Sequence, residues 1–217
     1  MEILFKILLI IHIICGTVGL FVGSYVLFAK KGDTVHKKTG SIFFYAMVIN
    51  GFVSLVLAKL HPNIFLFIVG IFSLYLLLTG KRYLQKKIVA QVQVMDWILL
   101  GFMLIFGIGF ICLGIFYILN SANFGIVPIV FGLLGLRFVF NDYKNFRGQS
   151  TIKNYWLTSH IQRMIGSYIA AATAFLVVNN TVLPNVVAWL LPTAILVPLI
   201  FKWSNKYKKE TPSVNLL

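Results

Sequence analysis

A chain of 217 residues that is 59% hydrophobic and only 11% charged lacks the polar residues needed to cover the surface of a soluble globule. The mean hydropathy of +0.92 agrees, so the composition predicts a membrane protein. The net charge of +14 does not indicate nucleic-acid binding, because the 19 basic residues form short clusters between long apolar runs.

Seven apolar stretches are long enough to cross the hydrocarbon core, which needs about 17–25 helical residues. They predict an all-α bundle of seven transmembrane helices, forming a single domain over residues 1–204 and followed by a basic tail over residues 205–217. The predicted spans are Ile3–Ala29, Ser41–Leu60, Asn63–Thr79, Asp96–Leu119, Phe124–Phe140, Tyr155–Val178 and Leu183–Trp203.

The connections between these spans alternate in charge, and this alternation predicts the orientation. Lysines and arginines follow spans one, three, five and seven, whereas the other three turns contain neither residue. Positive charge marks the cytoplasmic side of a membrane protein. We therefore expect the N-terminus outside and the C-terminus, with its tail, in the cytoplasm.

Glycines recur on one face of span one, over Gly16–Gly23, and on one face of span five, over Gly125–Gly135. Small residues at helical spacing favour close helix crossings, so spans one, two, five and six are expected to form the core. The two glycine phrases are similar, and each is followed by a basic loop and a histidine. This similarity predicts a parallel repeat of spans one to three and five to seven, with span four as a linker.

Span six carries a stripe of polar and small side chains, on which His160, Arg163 and Ser167 share one face. A basic residue inside a membrane helix costs about 2.5–3.5 kcal/mol on insertion scales. Arg163 should therefore face the bundle interior, a cavity or the lipid head groups.

His36 and His160 are both predicted at the cytoplasmic rim, on helices that run in the same direction. If the repeat exists, they face each other and suit haem b held by two imidazoles, with Arg163 or a nearby lysine meeting a propionate. In the alternative interpretation His36 is a solvated residue of a lysine-rich loop. His160 and Arg163 would then reach for lipid phosphates.

His12 lies deeper, in the outer half of span one, and is interpreted as part of a structural polar core with Ser167. We expect its imidazole to hydrogen-bond across to Asn50 or Ser54 of span two. Two carboxylates near the inner rim, Asp96 and Asp142, have no recognisable partner in the sequence. The chain contains no metal-binding, phosphate-loop or nucleophile motif.

Three phrases in this order resemble a bacterial family of predicted multi-pass membrane proteins of unknown function. They are His12-Ile13 followed by glycines, His36-Lys37-Lys38-Thr39-Gly40 with Tyr45 beyond it, and His160 followed by Met164-Ile165 and Ser167-Tyr168. The chain departs from that pattern at Arg163, where the family often has Trp, and at Gly166, where it often has Arg. The resemblance implies a bacterial inner-membrane location and one shared site or folding core for the three histidines.

The sequence therefore predicts an integral membrane protein with a histidine-bearing pocket on its cytoplasmic side. Its partners are the lipid bilayer and a small-molecule ligand, not nucleic acid. Binding or transport of a small molecule or lipid is the leading hypothesis. A haem-dependent electron-transfer protein or oxidoreductase is the second, and a membrane subunit or assembly factor is the third.

Overall fold

The computed structural model describes residues 2–208, and within that range it contains seven α-helices, two short 3-10 turns and no β-strand. All seven helices are long and apolar enough to cross a membrane, so the predicted all-α bundle of seven membrane helices is confirmed. Residues 209–217 of the predicted tail lie outside the described range. The helices are α1 Glu2–Phe28, α2 Thr34–Leu60, α3 Ile64–Tyr83, α4 Val94–Leu119, α5 Ile126–Phe146, α6 Tyr155–Asn179 and α7 Asn185–Tyr207.

Several helices extend past the apolar stretches that the sequence marks. Helix α2 begins at Thr34 instead of Ser41, because the side chain of Asp33 caps it by accepting a hydrogen bond from a backbone N–H of the first turn. Helix α5 continues to Phe146, although its last turns are polar. Hydropathy reports the length of the apolar segment, and a helix can continue beyond it wherever its polar groups find partners.

Consecutive helices run in opposite directions, so the connections fall into two sets. The α1–α2, α3–α4 and α5–α6 connections share one end of the bundle with the C-terminus of α7, where Lys31 lies over the ring of Trp203. We call this the basic end, since its connections carry lysine or arginine. The opposite end, whose three connections carry neither residue, is called the neutral end.

Helix α3 lies at the centre of the bundle. Its side chains are buried almost without interruption from Ile68 to Tyr83, and it packs against α2, α4, α5 and α6. Helix α1 packs mainly on α2 and buries only Gly19, Gly23 and Leu27, so it lies at the periphery. The expected core of spans one, two, five and six is therefore wrong. A helix enclosed on all sides is apolar on all sides, and its pattern resembles that of a helix facing lipid.

Close helix crossings occur at both predicted glycine faces. In the α4–α5 pair, Gly132 faces the backbone carbonyl of Gly107, and Gly125 faces that of Gly114. A Cβ at Gly19 of α1 would overlap the side chain of Met47 on α2. Both glycine faces thus allow backbones to approach closely.

The parallel repeat is not present in the fold of residues 2–208. Helix α1 packs along α2, but α5 packs chiefly on α4, and α6 packs chiefly on α3 and α7. The α1–α2 pairing therefore has no counterpart between α5 and α6. The similar glycine phrases serve different partners, because each allows close approach to whichever helix lies beside it.

Candidate functional site

A cavity of about 710 Å³ lies at the basic end, lined mainly by α1, α2, α6 and α7. We call it the basic cavity. His36 and His160 both line it, so the structure brings together the two histidines that the sequence pairs. The lining also includes Gly23, Lys31, Lys37, Gly40, Phe43, Phe44, Lys81, Lys87, Ile165, Tyr168 and Trp203.

His160 is held in place by the end of α3. Its Nδ1 atom lies 2.9 Å from the carbonyl oxygen of Gly80. That carbonyl is available because the N–H of Leu84 bonds to Lys81 and Arg82 instead of continuing the α-helical pattern. A carbonyl only accepts, so Nδ1 carries the proton. In the neutral imidazole, Nε2 is then left as an acceptor or as a metal ligand.

His36 lies on the first turn of α2, where the sequence analysis places a loop. Its backbone N–H donates to Oδ1 of Asp33 at 2.7 Å, which fixes the start of the helix. The side chain is half-buried, and its Nδ1 atom is buried without a hydrogen-bond partner. His36 thus presents an unused polar atom beside the basic cavity, whereas His160 has one ring nitrogen already engaged.

Four lysines line the basic cavity, and none of the described residues that line it is acidic. The Nζ atom of Lys31 donates to the carbonyls of Val26, Leu27 and Ala29 at 2.7–2.9 Å, which satisfies the C-terminus of α1. Burial lowers the pKa of Lys31 from its ordinary value. The walls between the lysines are aromatic and aliphatic, so the cavity joins an apolar interior to a cationic rim.

Arg163, predicted as a partner for a carboxylate of a cofactor, lies outside the lining of the basic cavity. Its side chain is buried and ion-paired, with Nη2 2.6 Å from Oδ1 of Asp142. The guanidinium also packs over the rings of Tyr75 and Phe138, at 4.9 Å and 4.2 Å from their centroids. The structure therefore engages this cation within the bundle instead of presenting it to a ligand.

Asp142 is the centre of this second cluster. Oδ2 accepts a hydrogen bond from the hydroxyl of Tyr75 at 2.6 Å, and Oδ1 accepts one from Tyr83 at 2.6 Å in addition to Arg163. Asn145 donates to the Tyr83 hydroxyl at 3.1 Å. We call Tyr75, Tyr83, Asp142, Asn145 and Arg163 the polar core. It joins α3, α5 and α6, and it provides hydrogen-bond donors to both carboxylate oxygens.

A neighbouring cluster surrounds Asp96. Arg82 reaches both carboxylate oxygens, at 2.6 Å and 3.1 Å, and Nζ of Lys86 lies 2.6 Å from Oδ1. The Lys86 ammonium also lies over the rings of Tyr83 and Phe146. Burial lowers the pKa of Lys86, and the ion pair with Asp96 opposes that shift. The sequence analysis finds no partner for Asp96 or Asp142, whereas in the structure both carboxylates are paired.

A second cavity, of about 520 Å³, lies toward the neutral end between α1, α2, α3 and α6. We call it the neutral cavity, and it is lined by His12, Asn50, Ser54 and Ser73 together with apolar side chains. Buried polar atoms without hydrogen-bond partners are His12 Nδ1, Asn50 Oδ1 and Ser73 Oγ. The polar residues here therefore surround a space instead of forming a closed network.

No hydrogen bond joins the side chain of His12 to the side chain of Asn50 or Ser54 within residues 2–208, and His12 interacts with the backbone of Asn50 instead. Ser54 donates to the carbonyl of Gly51 at 2.7 Å, and Asn50 Oδ1 remains unpartnered. Ser167 is fully buried, but its hydroxyl donates to Met164 of its own helix. The residues that the sequence groups as one polar core thus lie in separate places: three beside the neutral cavity and Ser167 within α6.

Comparison of the chain with protein-family models, curated proteins and solved structures finds no match. The two cavities and the charges around them are therefore the features that bear on function.

Proposed function

We propose that this protein binds a membrane amphiphile with an anionic head group in the basic cavity. The observation that carries this proposal is the charge of the lining: Lys31, Lys37, Lys81 and Lys87 surround apolar walls, without an acidic side chain among the described lining residues. Lysine is a common partner for phosphate, and a buried apolar wall suits hydrocarbon. A volume of about 710 Å³ falls within the range of small-molecule sites.

The alternation of charged connections supports placing this cavity at the cytoplasmic face of a plasma membrane. Anionic lipids concentrate in that leaflet, where each nearby lysine contributes about 1 kcal/mol of attraction. An anionic phospholipid is therefore the ligand that meets the cavity at the highest local concentration. We propose localisation to the inner membrane of a bacterium, which the resemblance described above supports.

The test is lipid retention measured by native mass spectrometry, using the purified protein exchanged into equal amounts of phosphatidylglycerol and phosphatidylcholine with the same chains. We expect selective retention of phosphatidylglycerol. Replacing Lys81 and Lys87 by Gln should weaken retention by about fivefold for each lysine. A control in which Lys144 and Lys153, which do not line the cavity, are replaced by Gln should retain the lipid normally. Equal retention of both lipids would contradict the proposal.

A competition experiment decides whether the recognised anion belongs to a lipid or to a soluble phosphate compound. Glycerol phosphate carries the head-group chemistry without acyl chains. If it displaces phosphatidylglycerol at millimolar concentration, the site recognises a soluble phosphate compound; if it does not, the apolar walls are needed and the ligand is a lipid.

A second candidate function, haem b binding, is favoured by the bond between His160 and Gly80. A metal-ligating histidine commonly donates its other ring N–H to a backbone carbonyl, which is the arrangement observed here. His36 lines the same cavity, and the lining lysines would replace Arg163 as partners for propionates. When bound, haem would supply one-electron redox chemistry.

The haem hypothesis is tested by the visible spectrum of protein expressed with haem supplied, recorded oxidised and reduced. A reduced α-band of a low-spin b-type centre, lost in both His36→Ala and His160→Ala, would support it. A colourless, well-folded protein that is also free of iron would rule it out and leave lipid binding as the function.

A further inference from the structure

The basic and neutral cavities follow each other along the same three helices. On α1 the neutral cavity ends at Leu20, and the basic cavity begins at Gly23. On α2 the change falls between Met47 and Phe44, and on α6 between Ala171 and Tyr168. Three helical residues correspond to a rise of about 4.5 Å. Less than one turn of each helix thus separates the two spaces.

The layer between the cavities is an apolar cluster that includes Phe43, Phe44 and Leu77, and two of its large side chains are seated on glycines. The side chain of Met47 lies against Gly19, and the ring of Tyr168 lies against Gly23. Tyr168 is also held by a hydrogen bond of 2.6 Å between its hydroxyl and that of Ser24. Methionine has three rotatable bonds and adapts its shape readily. The barrier is therefore made of side chains, and joining the cavities requires new rotamers of Met47 and Tyr168 together with adjustment of their neighbours Phe43 and Phe44.

Polar groups occur at every level of this path. Ser73 is only 5% exposed and lines the neutral cavity with an unpartnered Oγ, and His12 and Asn50 add two further unpartnered atoms. Buried polar atoms usually have partners, so these three atoms can hydrogen-bond to water or to a polar group that enters the cavity. Ser24 and Tyr168 lie at the middle level, and His36 and the lysines lie at the basic end.

The combined path is as long as a membrane is thick. From Leu9 in the neutral cavity to Leu27 in the basic cavity, α1 rises about 27 Å, against a hydrocarbon core of about 30 Å. Helix α1, which borders this path, buries only three residues. Because α1 packs closely on α2 but only sparsely on α6, the seam between α1 and α6 is where the acyl chains of a head group in the path would extend into the lipid.

We propose that the two cavities are the halves of one groove through which the head group of an anionic phospholipid passes between the leaflets. The protein would then act as a lipid scramblase, with Met47 and Tyr168 as the barrier. This inference rests on the proposed function, because the basic cavity is the binding site at one end of the groove. A polar groove lowers the barrier that hydrocarbon opposes to a charged head group.

The experiment uses the purified full chain in vesicles that carry a trace of phosphatidylglycerol labelled with a nitrobenzoxadiazole fluorophore on one acyl chain. Dithionite bleaches only the label in the outer leaflet unless lipid crosses the membrane. We expect vesicles with the protein to lose nearly all their fluorescence, and protein-free vesicles to lose only the outer-leaflet fraction. A labelled sugar trapped inside the vesicles verifies that dithionite does not enter.

Variants test the groove itself. Met47→Ala removes part of the barrier and should accelerate bleaching several-fold, and the milder Tyr168→Phe, which removes the bond to Ser24, should accelerate it less. Asn50→Leu removes a polar group from the path and should slow bleaching. Met95→Ala, at an exposed methionine of α4, is the matched control and should leave the rate unchanged.

The outcomes separate the two proposals. Retention of phosphatidylglycerol without any bleaching beyond the outer leaflet overturns the scramblase and leaves the binding function intact. Loss of both selective retention and bleaching overturns both. If the wild type and the variants Met47→Ala, Tyr168→Phe and Asn50→Leu all bleach at the same rate, the proposed groove is wrong. Lipid would then cross along another surface.

Discussion

The two faces of α6 meet different surroundings at the basic end. Toward α3 and α5, Arg163 is fully enclosed and paired with Asp142. Toward α1 and α2, His160 and Tyr168 line an open cavity, and polar atoms nearby lack partners. The first region pairs its charges with each other, whereas the second holds lysines without an acidic partner among the described lining residues. We infer that the polar core maintains the fold and that the cavities carry the function.

The largest expected signal is the sidedness of the cavities. A reporter fused after Lys209 should read cytoplasmic, and a reporter inserted after Ser121 should read external, because lysine and arginine mark the cytoplasmic side. The result is all-or-none, and it assigns the basic cavity to one leaflet. The reverse pair of readings would place the lysines outside the cell and would end the argument for cytoplasmic anionic lipids.

Breaking the polar core should cost the most stability. Asp142→Leu leaves Arg163 buried without its counter-charge, which typically costs about 3–5 kcal/mol. We expect loss of the protein from the membrane or a large fall in thermal stability in detergent, and recovery in the double variant Asp142→Leu/Arg163→Met. Arg137→Met, at an exposed arginine of α5, is the control. Equal stability of Asp142→Leu and Arg137→Met would show that the ion pair does not maintain the fold.

Replacing glycines should produce a smaller difference in stability, here between the α4–α5 crossing and the α1–α2 crossing. A Cβ at Gly132 would lie 2.7 Å from the backbone carbonyl of Gly107, whereas a Cβ at Gly19 would meet the flexible side chain of Met47. Overpacking typically costs about 1–3 kcal/mol. Gly132→Leu should fall at or above the upper end of that range, and Gly19→Leu should fall near the lower end. Gly109→Leu, at a position where an added Cβ meets no atom within 4 Å, should be nearly neutral in thermal unfolding.

The smallest effect is expected at His12. Its Nδ1 atom has no hydrogen-bond partner, and its one polar interaction is with the backbone of Asn50, so His12→Ala should cost about 1 kcal/mol or less. Tyr83→Phe in the polar core removes a hydrogen bond to a buried carboxylate and should cost about 1.5–3 kcal/mol. Thermal unfolding of the two variants compares the regions directly. A larger loss in His12→Ala would mean that the neutral cavity stabilises the fold more than the polar core does.

The sequence predicts well those features that depend on one helix at a time. Seven spans follow from seven apolar stretches, and the burial of Arg163 follows from the cost of exposing its charge to lipid. The meeting of His36 and His160 in one cavity agrees with their equal depth, although the repeat from which we argued it is absent. The rise per helical residue gives the depth of each residue along the membrane normal, and it predicts the same depth for His36 and His160.

Features that depend on which helices are neighbours are not predicted. The partner of Arg163 is on α5, and the partners of Asp96 are Arg82 in the last turn of α3 and Lys86 just after it; no sequence motif joins these residues. A signal was available, however. The chain has only five acidic residues, and a carboxylate near the inner end of an apolar span needs a cation beside it. The central position of α3 gave no such signal, because its apolar residues suit lipid and protein equally well.

The residues of the polar core are synthesised one after another, and their order has a consequence for biosynthesis. Tyr75 and Tyr83 are synthesised with the third helix, Asp142 with the fifth, and Arg163 only with the sixth. Until α6 has entered the membrane, the carboxylate lacks its counter-charge. A chain that stops early, or an assembly intermediate that fails to dock α6, exposes an uncompensated acid in apolar surroundings. Membrane proteases and insertion chaperones could use that acid to distinguish unfinished chains from completed ones.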